Sequence, residues 1–184
     1  LLAGMVGVHA FQGTRWTVAG EVPGLAGDHH PSIAPYGMFR TQTVPVQIAC
    51  GSENLWRVLC GVLSWDPAEP GFATNPERVA HRDALVDRLE AHFADRPAEH
   101  WLALLAEAGV PSGMVRSMDS VYSWEQVLSQ GLLLSVEHAT QGELRLPGSP
   151  IRFDDQPWSG GRSHHLAPPT LDQHGAAIRE WLED

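Results

Sequence analysis

"VPVQIACGSENLWRVLCGVL", residues 44–63, changes its hydrophobic rhythm halfway along, and that change sets the fold. In the first half Val44, Val46, Ile48 and Cys50 alternate with other residues, the period of a half-buried strand. Pro45 lacks an N–H, which confines the start of that strand to a sheet edge or a first position. From Leu55 the apolar positions become Leu55, Val58, Leu59, Val62 and Leu63, one face of a helix. Ser52 suits the N-cap and Glu53 the first turn, where an acid meets the positive end of the helix dipole. A strand runs directly into a helix.

The neighbouring stretches extend the pattern. "TNPERVAHRDALVDRLEAHFADRP", residues 74–97, predicts one helix with Asn75 as N-cap, Pro76 at the first helical position and an apolar stripe through Val79, Leu85, Val86, Leu89 and Phe93. Pro97 starts a further helix that buries Trp101, Leu102, Leu104 and Leu105, and Gly109 suits its left-handed end. Residues 117–131, "SMDSVYSWEQVLSQG", read as one or two short helices ending at Gly131. In "LLLSVEHATQGELRLPGSPIRF", residues 132–153, two strands flank a turn at Gln141-Gly142, and a third extended piece follows.

The flanks differ in composition. The opening "LLAGMVGVHAFQGTRW" carries Leu1, Met5, Val8 and Phe11 or Gln12 at roughly helical spacing, as though in mid-helix, and is expected to belong to a longer chain. "GEVPGLAGDHHPSIAPYG", residues 20–37, and "DDQPWSGGRSHHLAPPT", residues 154–170, are Gly/Pro-rich connectors. A weak terminal helix is expected in "LDQHGAAIREWLED". The organisation read from these features is a connecting segment at 1–36, an α+β unit at 37–153 and a returning segment at 154–184.

Twelve Lys and Arg against 22 Asp and Glu give a formal charge of −10, with the basic residues scattered. Nothing there would neutralise a phosphate backbone or an anionic membrane, and the apolar opening is too short for a span, so neither nucleic acid nor membrane is an expected partner. Cys50 and Cys60, ten positions apart, form no CxxC pair and read as buried free thiols in a reducing, cytoplasmic setting.

The adjacent His29 and His30 are the first candidates for chemistry. In an extended loop their side chains point to opposite sides, so they cannot easily chelate one ion, and no HExxH or Cys/His quartet accompanies them. His164 and His165 fall to the same argument, and no metal site is expected. There is no GxSxG elbow, no GxGxxG after a strand and no P-loop. Glu53 stands at the end of a strand, where loops present polar groups to clefts, although the helix dipole alone would favour an acid there.

Five separated segments, "GDHHPSIAPYGMFRT", "VQIACGSENLWRVLC", "FATNPERVAHRDALVDRLEAHFA", "AGVPSGMV" and "LRLPGSPIRF", are worded more specifically than helix or strand propensity requires. In order and spacing they resemble the C-terminal half of the class III CoA-transferases, the CaiB/BaiF family. The resemblance implies a small α+β domain flanked by helical and extended segments that belong to a larger, Rossmann-like α/β domain. It also implies an interlocked homodimer in which the N-terminal half of the same protein supplies most of the CoA pocket.

The implied chemistry is exchange between acyl-CoA and a carboxylic acid, with coenzyme A thioester as substrate and no resident cofactor. The implied nucleophile is an aspartate of the N-terminal half, so no catalytic residue is assigned in this chain. Gly27, Asp28, His29, His30 and Pro31 match the place of a glycine-run lid in oxalate-type transferases and are implied to line the acyl pocket. Glu53 matches a glutamate of the racemase branch that approaches a proton-shuttling pair, which keeps an α-methylacyl-CoA racemase as the alternative chemistry. "TQTVPVQI", residues 41–48, departs from the Asp-Gly turn common in relatives and predicts a reshaped hairpin. A non-catalytic subunit that needs a partner chain is the alternative from a different class.

Overall fold

A computed structural model of the chain describes residues 1–25, 27–153 and 159–183. The first part of the second connector, residues 154–158, lies outside the described residues. In chain order the elements are α1 Leu2–Gly7, α2 Ala10–Ala19, β1 Tyr36–Phe39, β2 Val46–Ala49, α3 Glu53–Leu63, α4 Asn75–Ala80, α5 Arg82–Phe93, α6 Ala98–Ala108 and β3 Ser112–Met114. They continue with α7 Met118–Ser123, α8 Glu125–Ser129, β4 Leu133–His138, β5 Gly142–Pro147 and α9 Gly175–Glu183. The chain is thus mixed α and β with small antiparallel sheets. It divides into two compact units, Leu1–Val115 and Arg116–Asp184, and the division falls inside the stretch that the sequence reads as one domain.

The first unit holds a three-stranded antiparallel sheet in the order β1-β2-β3, with Phe39 opposite Val46 and Gly37 opposite Ile48. Pro45 immediately precedes β2, so the first-position reading of this proline holds and the edge reading does not, because β2 is the central strand. Phe39, Val46 and Ile48 turn into a core with Trp56, Leu59 and Cys60 from α3, Leu85, Leu89 and Phe93 from α5, and Trp101 and Leu105 from α6. Each large side chain sealed there contributes about 1.5–3 kcal/mol through removal from water. The indoles also place their N–H groups: Trp56 donates to Pro67 O at 3.2 Å and Trp101 to Phe93 O at 2.9 Å.

Two expectations for residues 74–97 are corrected. The N-cap is Thr74, whose hydroxyl accepts from the Glu77 N–H while the Glu77 carboxylate accepts from the Thr74 N–H at 3.0 Å, a capping box. Pro76 therefore stands at the second helical position. The single helix is two, because His81 leaves helical geometry (φ −107°, ψ 31°) and its imidazole Nδ1 lies 3.0 Å from both Gly71 O and Glu77 O.

Residues 40–45 connect β1 to β2. The Thr41 hydroxyl donates to Val44 O at 2.8 Å, and Thr43 Oγ1 accepts the Ala98 N–H at the start of α6. The opening segment forms α1 and α2 without a buried residue.

In the second unit β4 and β5 form a hairpin paired from Leu133–Pro147 to His138–Gly142. Gly142 has φ 72°, a left-handed conformation that glycine adopts without a Cβ penalty. Among the described residues the third extended piece pairs in no sheet, although Gly148 N–H reaches Leu132 O at 2.9 Å. No residue of α9 is buried. Among the described residues no helix is long and apolar enough to cross a membrane.

Candidate functional site

Residues 28–30 lie along β1. The Met38 N–H donates to Asp28 O at 3.2 Å, His29 pairs with Gly37, and the His30 N–H donates to Tyr36 O at 2.8 Å. So close an approach depends on Gly37. A Cβ at that position would stand 2.2 Å from His29 Nδ1 and 2.6 Å from Asp28 O. The His29 ring meets Phe39 at 5.3 Å, and the His30 ring stacks on Tyr36 at 5.2 Å with 27° between planes.

Behind this loop the start of α4 and α5 forms a clamp. Asn75 donates from Nδ2 to Ser32 O at 2.9 Å and accepts the Ala34 N–H at 3.1 Å. Arg78 donates from Nε to Ala34 O at 2.7 Å. Arg82 donates to His30 O and, at 2.9 Å, to Pro31 O. Four of the five residues 30–34 thus have backbone groups tied by three side chains of "NPERVAHR", which explains why that segment is worded as it is.

Arg78 is the centre of the clamp and is 1% exposed. Besides Ala34 O, its guanidinium reaches Phe72 O at 3.0 Å, Ala73 O at 3.3 Å and both Glu53 oxygens at 3.1 Å, and it lies 4.7 Å from the centroid of Trp56. Glu53 Oε1 also accepts the Asn75 N–H at 2.8 Å. A buried cation is tolerable only when its donors are matched in this way.

The predicted site residues divide between two depressions. One of about 310 Å³ is lined by Gly27, Asp28, His29 and His30 together with Tyr36 and Gln47. Pro31 is not in its wall; its carbonyl serves Arg82. The other, of about 240 Å³, is lined by Glu53 with Arg78, Ser52, Cys50 and Ile33. Ser52 caps α3 as expected, accepting the Leu55 N–H at 3.2 Å.

Both cysteines are free and buried. Burial pushes the Cys50 thiol up to about 12 and the Cys60 thiol up to about 11, against the pull of the Arg78 charge, so neither is a nucleophile near neutral pH. Among the described residues no three His, Cys, Asp or Glu side chains group as metal ligands.

Reading the residues one by one missed the clamp. Its signal was present: Arg78 and Arg82 each stand seven residues before a stripe leucine, Leu85 and Leu89, so basic residues continue the buried stripe.

Residues 1–175 match CoA-transferase family III, and the chain belongs to that family. It is 32% identical over 169 residues to the acetyl-CoA:oxalate CoA-transferase of Acetobacter aceti, covering 90% of this chain and 41% of that protein. It is 33% identical over 150 residues to the succinyl-CoA:glutarate CoA-transferase of Mus musculus, covering 80% of this chain and 34% of that protein. A crystal structure of a CaiB/BaiF family protein from Brucella suis superposes with a TM-score of 0.76 at 32% identity, over 97% of this chain and 45% of that one. The chain therefore spans less than half the length of these relatives.

Proposed function

We propose that this chain is the C-terminal part of a family III CoA-transferase that moves CoA between an acyl-CoA thioester and a carboxylic acid. The observation that carries the reading is the family match across residues 1–175. In the proposed reaction an aspartate outside this chain attacks the thioester carbonyl and expels CoA thiolate, giving a mixed anhydride. The thiolate then attacks the aspartyl carbonyl, which releases the first acid and leaves an aspartyl thioester. An acceptor carboxylate then attacks the aspartyl thioester and expels CoA thiolate, giving a second mixed anhydride, and the thiolate attacks the acceptor's carbonyl to give acceptor-CoA and free aspartate.

The role proposed for this chain is to wall the acyl site with residues 27–30 and to keep water from the anhydride. Support comes from the way the loop is held. Where oxalate-type relatives are expected to swing a run of glycines, this chain ties residues 30–34 to α4 and α5, a wall in place before substrate arrives. The exposed apolar residues of α1, α2 and α9, among them Phe11, Trp16 and Trp181, suit contacts with the proposed Rossmann-like domain and with an interlocked second copy. Free buried thiols suit a reducing compartment such as the cytoplasm.

The racemase alternative gives Glu53 the place of a glutamate that approaches a proton-shuttling pair. Transferase-like members carry the same wording, so Glu53, here engaged by Arg78 and the Asn75 N–H, does not decide between the reactions. For the full-length protein, hydroxylamine trapping of an acyl-aspartate during turnover is expected with acetyl-CoA or succinyl-CoA, without loss of label from the α-carbon. Label loss without trapping would favour the racemase. Neither signal over a broad acyl-CoA set would favour the non-catalytic subunit.

A further inference from the structure

His30 has nearly all of its bonding groups occupied. Its N–H is given to Tyr36 O, its carbonyl receives Arg82, and its ring face lies on Tyr36. The remaining groups are the two ring nitrogens. Nδ1 stands 3.2 Å from the Ser32 backbone N–H, with the Ser32 hydroxyl at 3.4 Å. A peptide N–H can only donate, so Nδ1 must offer its lone pair, and in the neutral ring the proton then sits on Nε2. Nε2 has no protein partner among the described residues, and His30 lines the 310 Å³ depression.

We infer that His30 Nε2–H is a fixed hydrogen-bond donor to an sp² oxygen of the bound substrate, either a carboxylate oxygen of the acid or the carbonyl of the acyl thioester. The inference rests on the transferase reading and names what its acyl site grips. Asp28 shares the depression and, when ionised, can only accept, so it cannot serve such an oxygen. Gln47 and Tyr36 lie in the same wall and can add donors beside His30. The backbone ties hold the ring in place beforehand, so little ordering entropy is lost on binding.

The test uses the full-length protein with acetyl-CoA or succinyl-CoA as donor and oxalate or glutarate as acceptor. His30→Phe keeps the stacked ring and removes both nitrogens; His30→Asn keeps an acceptor near Nδ1; His30→Gln places an amide donor near Nε2. The expected result is a KM raised roughly ten- to hundredfold in H30F and H30N and largely restored in H30Q, as loss of one charge-assisted hydrogen bond requires. A rise confined to the acid's KM assigns the bond to its carboxylate, and one confined to the acyl-CoA assigns it to the thioester carbonyl.

Nitrogen-15 spectra of the imidazole should show the Nε2–H tautomer in the wild type. The Nδ1–H tautomer, or unchanged KM values for both substrates in H30F, would overturn the inference while leaving the transferase reading intact. A wild-type protein with the Nε2–H tautomer but no CoA transfer to any acceptor would overturn both.

Discussion

Replacing Arg78 by Met keeps the aliphatic stem and removes the guanidinium. The carbonyls of Ala34, Phe72 and Ala73 and Glu53 Oε2 then lose this donor in one step, while Glu53 Oε1 keeps only the Asn75 N–H. Breaking a buried ion pair from one side costs about 3–5 kcal/mol. Glu53 is 45% exposed, so water can replace part of what it loses, and the lower end, about 3 kcal/mol, is the expected cost. For a full-length protein more than twice as long as this chain, unfolding as one unit, that corresponds to a fall in Tm of about 3–4 °C.

Calorimetry on the full-length protein, with Glu53→Gln and the double variant, completes the test. E53Q keeps the shape but leaves the guanidinium of Arg78, 1% exposed, without a countercharge and should cost about 3 kcal/mol. The double variant should be less than additive by about 1 kcal/mol, because the pair is already broken in either parent. An R78M transition within about 1 °C of wild type would refute the argument that this arginine holds the loop to α4.

Gly37→Ala should push the 28–30 segment off β1, since the added Cβ meets His29 Nδ1 at 2.2 Å; a loss of about 1–3 kcal/mol by denaturant titration is expected, and none would contradict the contact. Cys50 and Cys60, held as thiols by burial up to about 12 and about 11, should resist alkylation at pH 8 until the protein unfolds, which mass spectrometry reads directly; fast labelling of folded protein would refute their burial. Burial alone would raise the Glu90 carboxyl, but the side-chain and backbone donors of Arg40 outweigh it and hold the carboxyl below its ordinary range. A depressed carboxylate pKa stabilises the fold above the unfolded value of about 4 and loses that contribution as pH falls through the folded value. Glu90→Gln should therefore be less stable than wild type at pH 7, with the gap closing below about pH 4.

The strand-to-helix junction at residues 44–63 was readable because period two and period 3.6 are both clean there and Ser52 marks the boundary. Gly109, Gly131 and Gly142 were readable as ends and turns, and all three adopt positive φ. The break at His81 was not, because the imidazole contact with Gly71 O, outside both helices, leaves no period. Thr74 and Asn75 are both good caps, and the choice fell to Thr74 because Asn75 is occupied with Ser32 and Ala34. The separation of Glu53 from residues 27–30 into two depressions was equally hidden, since resemblance places residues along a chain and says nothing about which wall they share.

The account's central claim is that CoA moves through a carboxylate on the protein, and oxygen tracing tests it most directly. With acceptor acid labelled with ¹⁸O in its carboxylate, one labelled oxygen should stay on the enzyme carboxylate as acceptor-CoA forms, and should leave in the donor acid of the following turnover. Donor acid carrying oxygen from solvent, with none from the acceptor, would mean hydrolysis in place of transfer and would contradict the account.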